Sequence, residues 1–255
     1  MRAKPDSHLA WLDPGADFPP LAQAWGTGSD APGLLAAGGA LDVATLLKAY
    51  SQGIFPWYSQ GQPILWWSPD PRMVLQVANF QLHDSFRKTL RRFQRNPACE
   101  VRVDSAFADV IAACAAARPG SGGGTWILPE MQLAYIALHD AGYAHSIETW
   151  VDGRLVGGLY CVAIGLGVFG ESMFSHRTDA SKLALAALVC ICRRHGITQI
   201  DCQQNTRHLA SLGAAEMARS EFIARVRSLS ERPPASWVFE PLYWNQLLPP
   251  RPVPQ

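Results

Sequence analysis

The chain has 255 residues, of which 48% are hydrophobic, so it is long enough to bury a substantial core. Its 22 lysines and arginines nearly balance its 21 aspartates and glutamates, which excludes a general charge field for nucleic acid or membranes and leaves only local patches. The amino terminus lacks the apolar core of a signal peptide, and no segment has the length and uniformity of a membrane span. These features, together with six cysteines that form no C-x-x-C pair, predict a reduced, soluble, cytoplasmic protein.

The first half of the chain alternates irregular, proline-rich segments with helices. Residues 1–40 are rich in proline and glycine, which predicts an irregular arm. An apolar stripe with helix-capping residues at both ends predicts a helix over 41–53. The prolines of 54–72 argue against regular structure through much of that segment. Further helices are predicted over 82–97, where basic residues cluster, and over 107–117.

The second half of the chain combines helices with strands joined by short turns. The apolar periods and turn residues divide it into helix 129–142, strands 145–151, 154–165 and 167–175, helix 179–196, strand 198–203, and helices 206–213 and 220–229. An antiparallel meander followed by a long helix and another strand predicts an α+β fold, with a mixed sheet and helices packed against it.

No motif points to a metal, a catalytic serine or a nucleotide phosphate. The histidines are scattered, and neither H-E-x-x-H nor G-x-S-x-G is present. Residues 120–124 read GSGGG, but the Lys-Ser/Thr pair of a P-loop is missing and no convincing strand precedes them, so a flexible loop is the better interpretation. We therefore expect no metal site.

Polar residues inside two apolar strands give the clearest indication of a site. Asp201 and Gln203 lie two residues apart, so both side chains are expected on one face of a strand. Structural roles, such as capping a helix or bonding a loop, explain this pair about as well as a functional site does. Glu171 adds a third polar group in the apolar stretch VFGESMFS, where no lysine or arginine offers a partner. Three such groups near the ends of adjacent strands favour a shared site, with the partner of Glu171 supplied by a ligand.

Eight motifs give the chain a resemblance to a known family. In chain order they are GLLAAGGALDVATLLKAYSQGIFPWYS, ILWWSPDPR, GTWI, AHSIETW, LVGGLYCVAIG, GESMFS, ASKLAL and IDCQ followed by HLASLGA. Their order and spacing resemble those of the bacterial leucyl/phenylalanyl-tRNA–protein transferases, over about residues 33–222.

This resemblance implies an enzyme that moves Leu, Phe or Met from aminoacyl-tRNA to an N-terminal Arg or Lys of a protein. The new peptide bond marks that protein for degradation by the N-degron (N-end rule) route. No cofactor is implied, because the ester bond to tRNA is already activated. A monomer is expected, with a small N-terminal domain and irregular arm over 1–62, an acetyltransferase-like (GNAT) catalytic domain over 63–232, and a proline-rich tail over 233–255.

The resemblance also implies the residues of the active site. Gln203 would position the incoming amine through its carbonyl oxygen, Asp201 would orient or electrostatically support it, and Glu171 would meet the α-ammonium of the esterified amino acid. The implied pocket for the amino-acid side chain is apolar and consists of Leu159, Met173, Leu185 and Ile200, with Val168 nearby.

The remaining implied residues would hold the tRNA. Trp57 and Trp126 match the positions that sandwich the terminal adenosine, and Tyr50 and Tyr135 are further candidates for that pocket. The phosphates of the acceptor stem would be held by the basic residues Arg72, Arg87, Lys88, Arg91, Arg92 and Arg95.

Two other functions are alternatives to the transferase that the resemblance implies. The first is a small-molecule N-acyltransferase that uses acetyl-CoA, but the residues before the long helix, SHRTDASK, lack the glycines that would cradle a pyrophosphate. The second is an RNA-binding module without catalytic activity, which leaves Glu171, Asp201 and Gln203 unexplained.

Overall fold

The described residues form two β-sheets and seven α-helices in an α+β fold, which confirms the predicted class. A computed structural model of the protein describes residues 9–116 and 127–248. The helices of the described residues are α1 Val43–Ser51, α2 Asp84–Arg95, α3 Phe107–Ala115, α4 Pro129–Asp140, α5 Ala180–Arg194, α6 Arg207–Ser211 and α7 Arg219–Ser230.

The small sheet comes from the amino-terminal part of the chain and has the strand order β1-β2-β4-β3. Its strands are β1 Ala10–Leu12, β2 Leu34–Gly38, β3 Phe55–Pro56 and β4 Leu65–Trp67. The irregular arm predicted for 1–40 was therefore wrong in part, because two strands lie within it. Proline does not prevent β3, since this strand is only two residues long at the edge of the sheet. The domain boundary expected after residue 62 falls between β3 and β4 of this one sheet.

The large sheet has seven strands in the order β11-β5-β10-β9-β8-β7-β6. These are β5 Arg72–Gln76, β6 Cys99–Val103, β7 Ala144–Val151, β8 Arg154–Ile164, β9 Gly167–Ser175, β10 Gln199–Asp201 and β11 Ala215–Met217. All neighbours run antiparallel except β9 and β10, which are parallel and are connected by α5. The strands β5, β6 and β11 were not predicted, because their short runs lack a clear alternation of apolar and polar residues.

Helix α5 packs closely on one face of this sheet, because a glycine on β8 leaves room for it. A Cβ atom at Gly157 would lie 2.5 Å from the Cβ atom of Ala180, so the helix and the strand are in direct contact there. Most residues of α5 are buried. Helices α3 and α4 pack on the opposite face with the aromatic residues Tyr160 and Phe169.

The parallel pair β9–β10 opens into a cleft. The two strands are paired only at Val168–Ile200 and Phe169–Asp201, after which β10 ends. Strand β9 continues to Ser175, and it bulges against β8 where Glu171 lies. Beyond Phe169, no strand of the described residues pairs with β9 on the side away from β8, so side chains from both faces of the sheet meet at the opening.

The carboxyl-terminal segment covers α2 and α5. A 3-10 helix over Pro241–Gln246 buries Tyr243 and Trp244, and the ring of Trp244 lies 6.4 Å from that of Phe93 on α2. Within 9–116 and 127–248, no helix is long and apolar enough to cross a membrane.

Candidate active site

Two adjoining cavities occupy the cleft beside β9. One has a volume of about 350 Å³ and extends between the sheet and α5, and the other has about 320 Å³ and extends toward the small sheet. The residues that line both cavities are Glu171, Cys202, Gln203, Thr206 and Leu209. Two of the three polar residues singled out from the sequence, Glu171 and Gln203, therefore lie at the junction of the cavities.

Gln203 is held at both its backbone and its side chain. Its backbone has a φ of 54°, in the left-handed region that residues other than glycine rarely adopt. Its backbone N–H donates to Asp201 Oδ1 at 3.0 Å. Its side-chain Nε2 donates to Glu171 Oε1 at 3.0 Å. With the amide nitrogen engaged in this way, the carbonyl oxygen Oε1 is the atom left to accept a hydrogen bond from a ligand.

Asp201 lies just behind Gln203 and is almost fully buried. Its two carboxylate oxygens accept from Arg72, Oδ1 from Nε at 2.8 Å and Oδ2 from Nη2 at 2.6 Å. Asp201 is also the last residue of β10, so strand alternation does not set the direction of Gln203, and the sequence argument for a shared strand face was wrong. The structure supplies another link between them, which is the backbone hydrogen bond.

Arg72 was assigned wrongly as a phosphate contact. Its side chain is 0% exposed and is bonded to Asp201 and to the carbonyl oxygen of Gly53. A guanidinium that is buried and paired in this way has no surface to offer to tRNA.

Glu171 has partners within the chain, which corrects the expectation that only a ligand would supply one. Besides Gln203, the hydroxyl of Tyr135 donates to Glu171 Oε2 at 3.1 Å, and the hydroxyls of Tyr135 and Tyr50 lie 2.5 Å apart. Burial raises the pKa of Glu171 from an ordinary 4.5 to about 7, although hydrogen bonds from Tyr50 and Tyr135 offset part of this effect. The carboxyl group of Glu171 can therefore exchange a proton near neutral pH.

Tyr50 and Tyr135 were expected in the adenosine pocket, and the structure contradicts this expectation. Both side chains are 0% exposed, and burial raises the pKa of each hydroxyl well above its usual value. No base can stack on rings that are enclosed in the core. Their role in the site is to hold the carboxyl group of Glu171 by hydrogen bonds from the core side.

The raised pKa of Glu171 predicts a specific pH dependence of stability. In the unfolded chain Glu171 ionises near pH 4.5, whereas in the folded protein it ionises near pH 7. Between these values the folded state binds more protons, so the contribution of this group is complete below pH 4.5 and is lost as the pH rises through about 7. We expect Glu171→Gln to gain stability relative to the natural protein over this range, as measured by urea unfolding at several pH values. A difference that is constant with pH, or that grows toward acid, would contradict the assignment.

The larger cavity is lined by most of the predicted apolar residues. Leu159, Met173, Leu185 and Ile200 all contribute to its wall. Val168 is buried next to Ile200 and is not among the lining residues, so it supports the wall from behind. Sequence reasoning missed Leu188, which comes almost one helical turn after Leu185 and which that spacing predicts on the same side of α5.

Trp57 lines the smaller cavity at the edge of the small sheet. Its side chain is 38% exposed, and its ring packs edge-on against Trp67 at 5.4 Å between centroids. An indole that is supported on one side and exposed on the other is suited to stack on a base. Trp126 lies outside the described residues, as does the GSGGG segment. Trp66, in contrast, is fully buried in the core and has no face open to a base.

Helix α2 presents a basic surface, which we call the α2 basic cluster. Phe86, Leu90 and Phe93 bury one side of the helix. A shallow depression of about 510 Å³ on the helix is lined by Lys88, Arg91, Arg92, Arg95 and Asn96. Arg87 belongs to another side of the helix, where it donates to the carbonyl oxygen of Leu82 and pairs with Asp84.

The histidine, cysteine and carboxylate side chains of the described residues are too dispersed for a metal centre. Among residues 9–116 and 127–248, no group of three or more histidines, cysteines, aspartates or glutamates is placed to hold a metal ion. The site consists of hydrogen-bonding groups, one titratable carboxyl group and an apolar wall.

Comparison with known proteins places these residues in a family. Residues 74–227 match the model of the leucyl/phenylalanyl-tRNA protein transferases, and residues 39–70 match the model of the N-terminal domain of the same proteins. The leucyl/phenylalanyl-tRNA–protein transferase of Albidiferax ferrireducens is 63% identical over 243 residues, which covers 95% of each chain. The one of Polaromonas sp. is 62% identical over 240 residues, or 94% of each chain. Among solved structures, a GCN5-related N-acetyltransferase from Kribbella flavida is similar at 10% identity with a TM-score of 0.35, over 68% of this chain and 60% of that one.

Proposed function

The chain belongs to the leucyl/phenylalanyl-tRNA–protein transferase family, and from that premise we propose that it transfers leucine, phenylalanine and methionine from their tRNAs to the N-terminal arginine or lysine of acceptor proteins. The observation that carries this proposal is the position of Gln203, which lies where an apolar cavity joins a cavity flanked by an exposed indole. An apolar amino acid esterified to adenosine has the same three parts, namely a side chain, an ester and a base.

In this proposal the amino-acid side chain fills the cavity beneath β9. The wall of Leu159, Met173, Leu185 and Ile200 favours unbranched or γ-branched apolar side chains over polar ones. The adenosine lies in the other cavity against Trp57. The ester carbon then lies at the junction, within reach of Gln203 and Glu171.

The reaction joins the acceptor amine to the ester carbonyl carbon and releases the 3′-hydroxyl of the tRNA. Gln203 Oε1 accepts a hydrogen bond from the amine and directs its lone pair to the carbonyl carbon. Glutamine does not titrate near neutral pH, so its role is orientation. The amine loses one proton overall and the leaving oxygen gains one. Glu171, with a pKa of about 7, is suited to accept the proton from the amine and to donate a proton to the leaving 3′-oxygen.

Asp201 does not take that proton in the proposed mechanism. Both of its oxygens accept from Arg72, and protonation would break a buried ion pair. Asp201 acts instead through the backbone of Gln203.

The proposed cellular role is to mark acceptor proteins for degradation by the N-degron route. The enzyme would act in the cytoplasm as a monomer, and the activated ester makes a metal or nucleotide cofactor unnecessary. An acetyl-CoA-dependent activity is less well supported, because the carboxylate of Asp179 lies at the start of α5, bonded to Lys182, where it would repel a pyrophosphate.

A transfer assay tests this function directly. The protein is incubated with radiolabelled Leu-tRNA and a model protein that begins with arginine, and a matched substrate beginning with alanine is the control. Label is expected on the first substrate and not on the second. Tight tRNA binding without transfer would favour a binding module, and turnover of acetyl-CoA would favour the acyltransferase. Equal labelling of both substrates would contradict the proposed specificity for N-terminal arginine or lysine.

A further inference from the structure

The geometry points to Arg72 as a positioning residue for the transfer reaction, one that fixes Gln203 relative to the strand that leads to Trp57. This inference rests on the proposed function, because it concerns the placement of the two substrate-contacting elements. Arg72 itself lines neither cavity and is fully buried. It acts through the residues that it holds.

The first link runs from Arg72 to Gln203 through Asp201. Asp201 Oδ1 accepts from Arg72 Nε at 2.8 Å and from the backbone N–H of Gln203 at 3.0 Å. One oxygen therefore joins the guanidinium to the loop between β10 and α6, which carries Gln203. The loop needs such support, because Gln203 has a φ of 54° and lies beyond the last residue of β10. Strain of this kind persists only where neighbouring groups hold the backbone.

The second link runs from Arg72 to the small sheet. Arg72 Nη1 donates to the carbonyl oxygen of Gly53, which lies between α1 and β3, at 3.0 Å. The guanidinium also lies 4.8 Å from the ring centroid of Phe55, which precedes Trp57 by two residues and lines the smaller cavity. On another side it lies 4.6 Å from the ring of Phe222 on α7.

These contacts make Arg72 the common partner of both halves of the cleft. One planar group bonds Asp201, which holds Gln203, and Gly53, which lies just before the segment that would hold the adenosine. The spacing between Gln203 and Trp57 is therefore set by a rigid fork of donors, and not by charge alone. A lysine would keep the positive charge but would lose the fork and the stacking on two aromatic rings.

The inference is tested with Arg72→Lys in single-turnover transfer from Leu-tRNA, normalised to folded protein. We expect the rate to fall about 100-fold, because a displacement of about 1 Å at a reacting group has an effect of that size. The affinity for Leu-tRNA is expected to change by less than about threefold, since most of that binding comes from phosphate contacts elsewhere. A rate equal to that of the natural protein would overturn the inference, because charge alone would then suffice.

A second variant is needed if Arg72→Lys does not fold because the buried carboxylate of Asp201 loses its ion pair. Arg72→Met combined with Asp201→Asn removes both charges, and neutral replacements of buried ion pairs usually fold. It is expected to fold and to transfer at least as slowly as Asp201→Asn alone. A transfer rate near that of the natural protein would overturn the inference.

Arg193→Met is the control, because Arg193 is another arginine held by hydrogen bonds, to the backbone carbonyls of Gln246 and Val77, and it lines neither cavity. It should lower the melting temperature and leave the rate per folded molecule unchanged. If the Arg72 variants and this control lower rate and affinity by the same factor, Arg72 has only a structural role. If the natural protein itself transfers no leucine, the proposed function fails, which is a separate result.

Discussion

Gln203→Met should lower the rate of leucine transfer about 100-fold while leaving the affinity for Leu-tRNA nearly unchanged. Methionine has a similar length but no carbonyl oxygen, so it removes the acceptor that Gln203 Oε1 offers to the amine. Binding is retained because the apolar wall and Trp57 remain in place. Single-turnover transfer and filter binding with the same charged tRNA separate the two quantities.

The control for this variant is Gln81→Met, an exposed glutamine that lines neither cavity. It should transfer at the rate of the natural protein. A loss of tRNA affinity equal to the loss of rate in Gln203→Met would contradict an orienting role and indicate that Gln203 mainly binds substrate.

Neutralising the α2 basic cluster should have its largest effect on tRNA binding. We expect Arg91→Gln with Arg92→Gln to weaken binding roughly 30-fold at about 0.15 M salt, because each phosphate contact contributes a slope of about 0.9 to the logarithmic salt dependence. The salt slope itself should decrease by about two for the same reason. The transfer rate at saturating Leu-tRNA should stay close to that of the natural protein, since neither residue lines the cleft.

Arg227→Gln with Arg232→Gln removes the same charge from exposed positions outside this cluster. This pair should leave the salt slope unchanged. If both pairs weaken binding equally, net charge explains the effect, and the cluster is not a specific tRNA surface.

The sequence located the candidate site by composition, through polar residues in apolar strands. Glu171 and Gln203 lie together at the junction of two cavities, and four of the five residues expected around the amino-acid side chain line one of them. The pocket residues were expected only from the resemblance to the family, whose positions they match, whereas Glu171 and Gln203 stand out in the sequence itself as polar residues among apolar ones.

What the sequence could not give was the partner of each polar group. Arg72 and Asp201 are 129 residues apart in the chain, and Tyr135 and Glu171 are 36 apart. Arg72 was expected to contact tRNA phosphates because of its charge, and charge alone does not indicate whether a side chain is buried. Only the packing of the small sheet against the large one encloses it.

By itself the sequence determined the α+β class, the helices and central strands, the family and the polar residues of the cleft, because each follows from local pattern or motif. The tertiary structure decided which of those residues face solvent and which are held in the interior. It placed Tyr50, Tyr135 and Arg72 behind the site, and it brought Gln203 out of the sheet. The physical reason is that burial and hydrogen-bond pairing depend on contacts between distant segments, and these set the charge state and direction of a side chain.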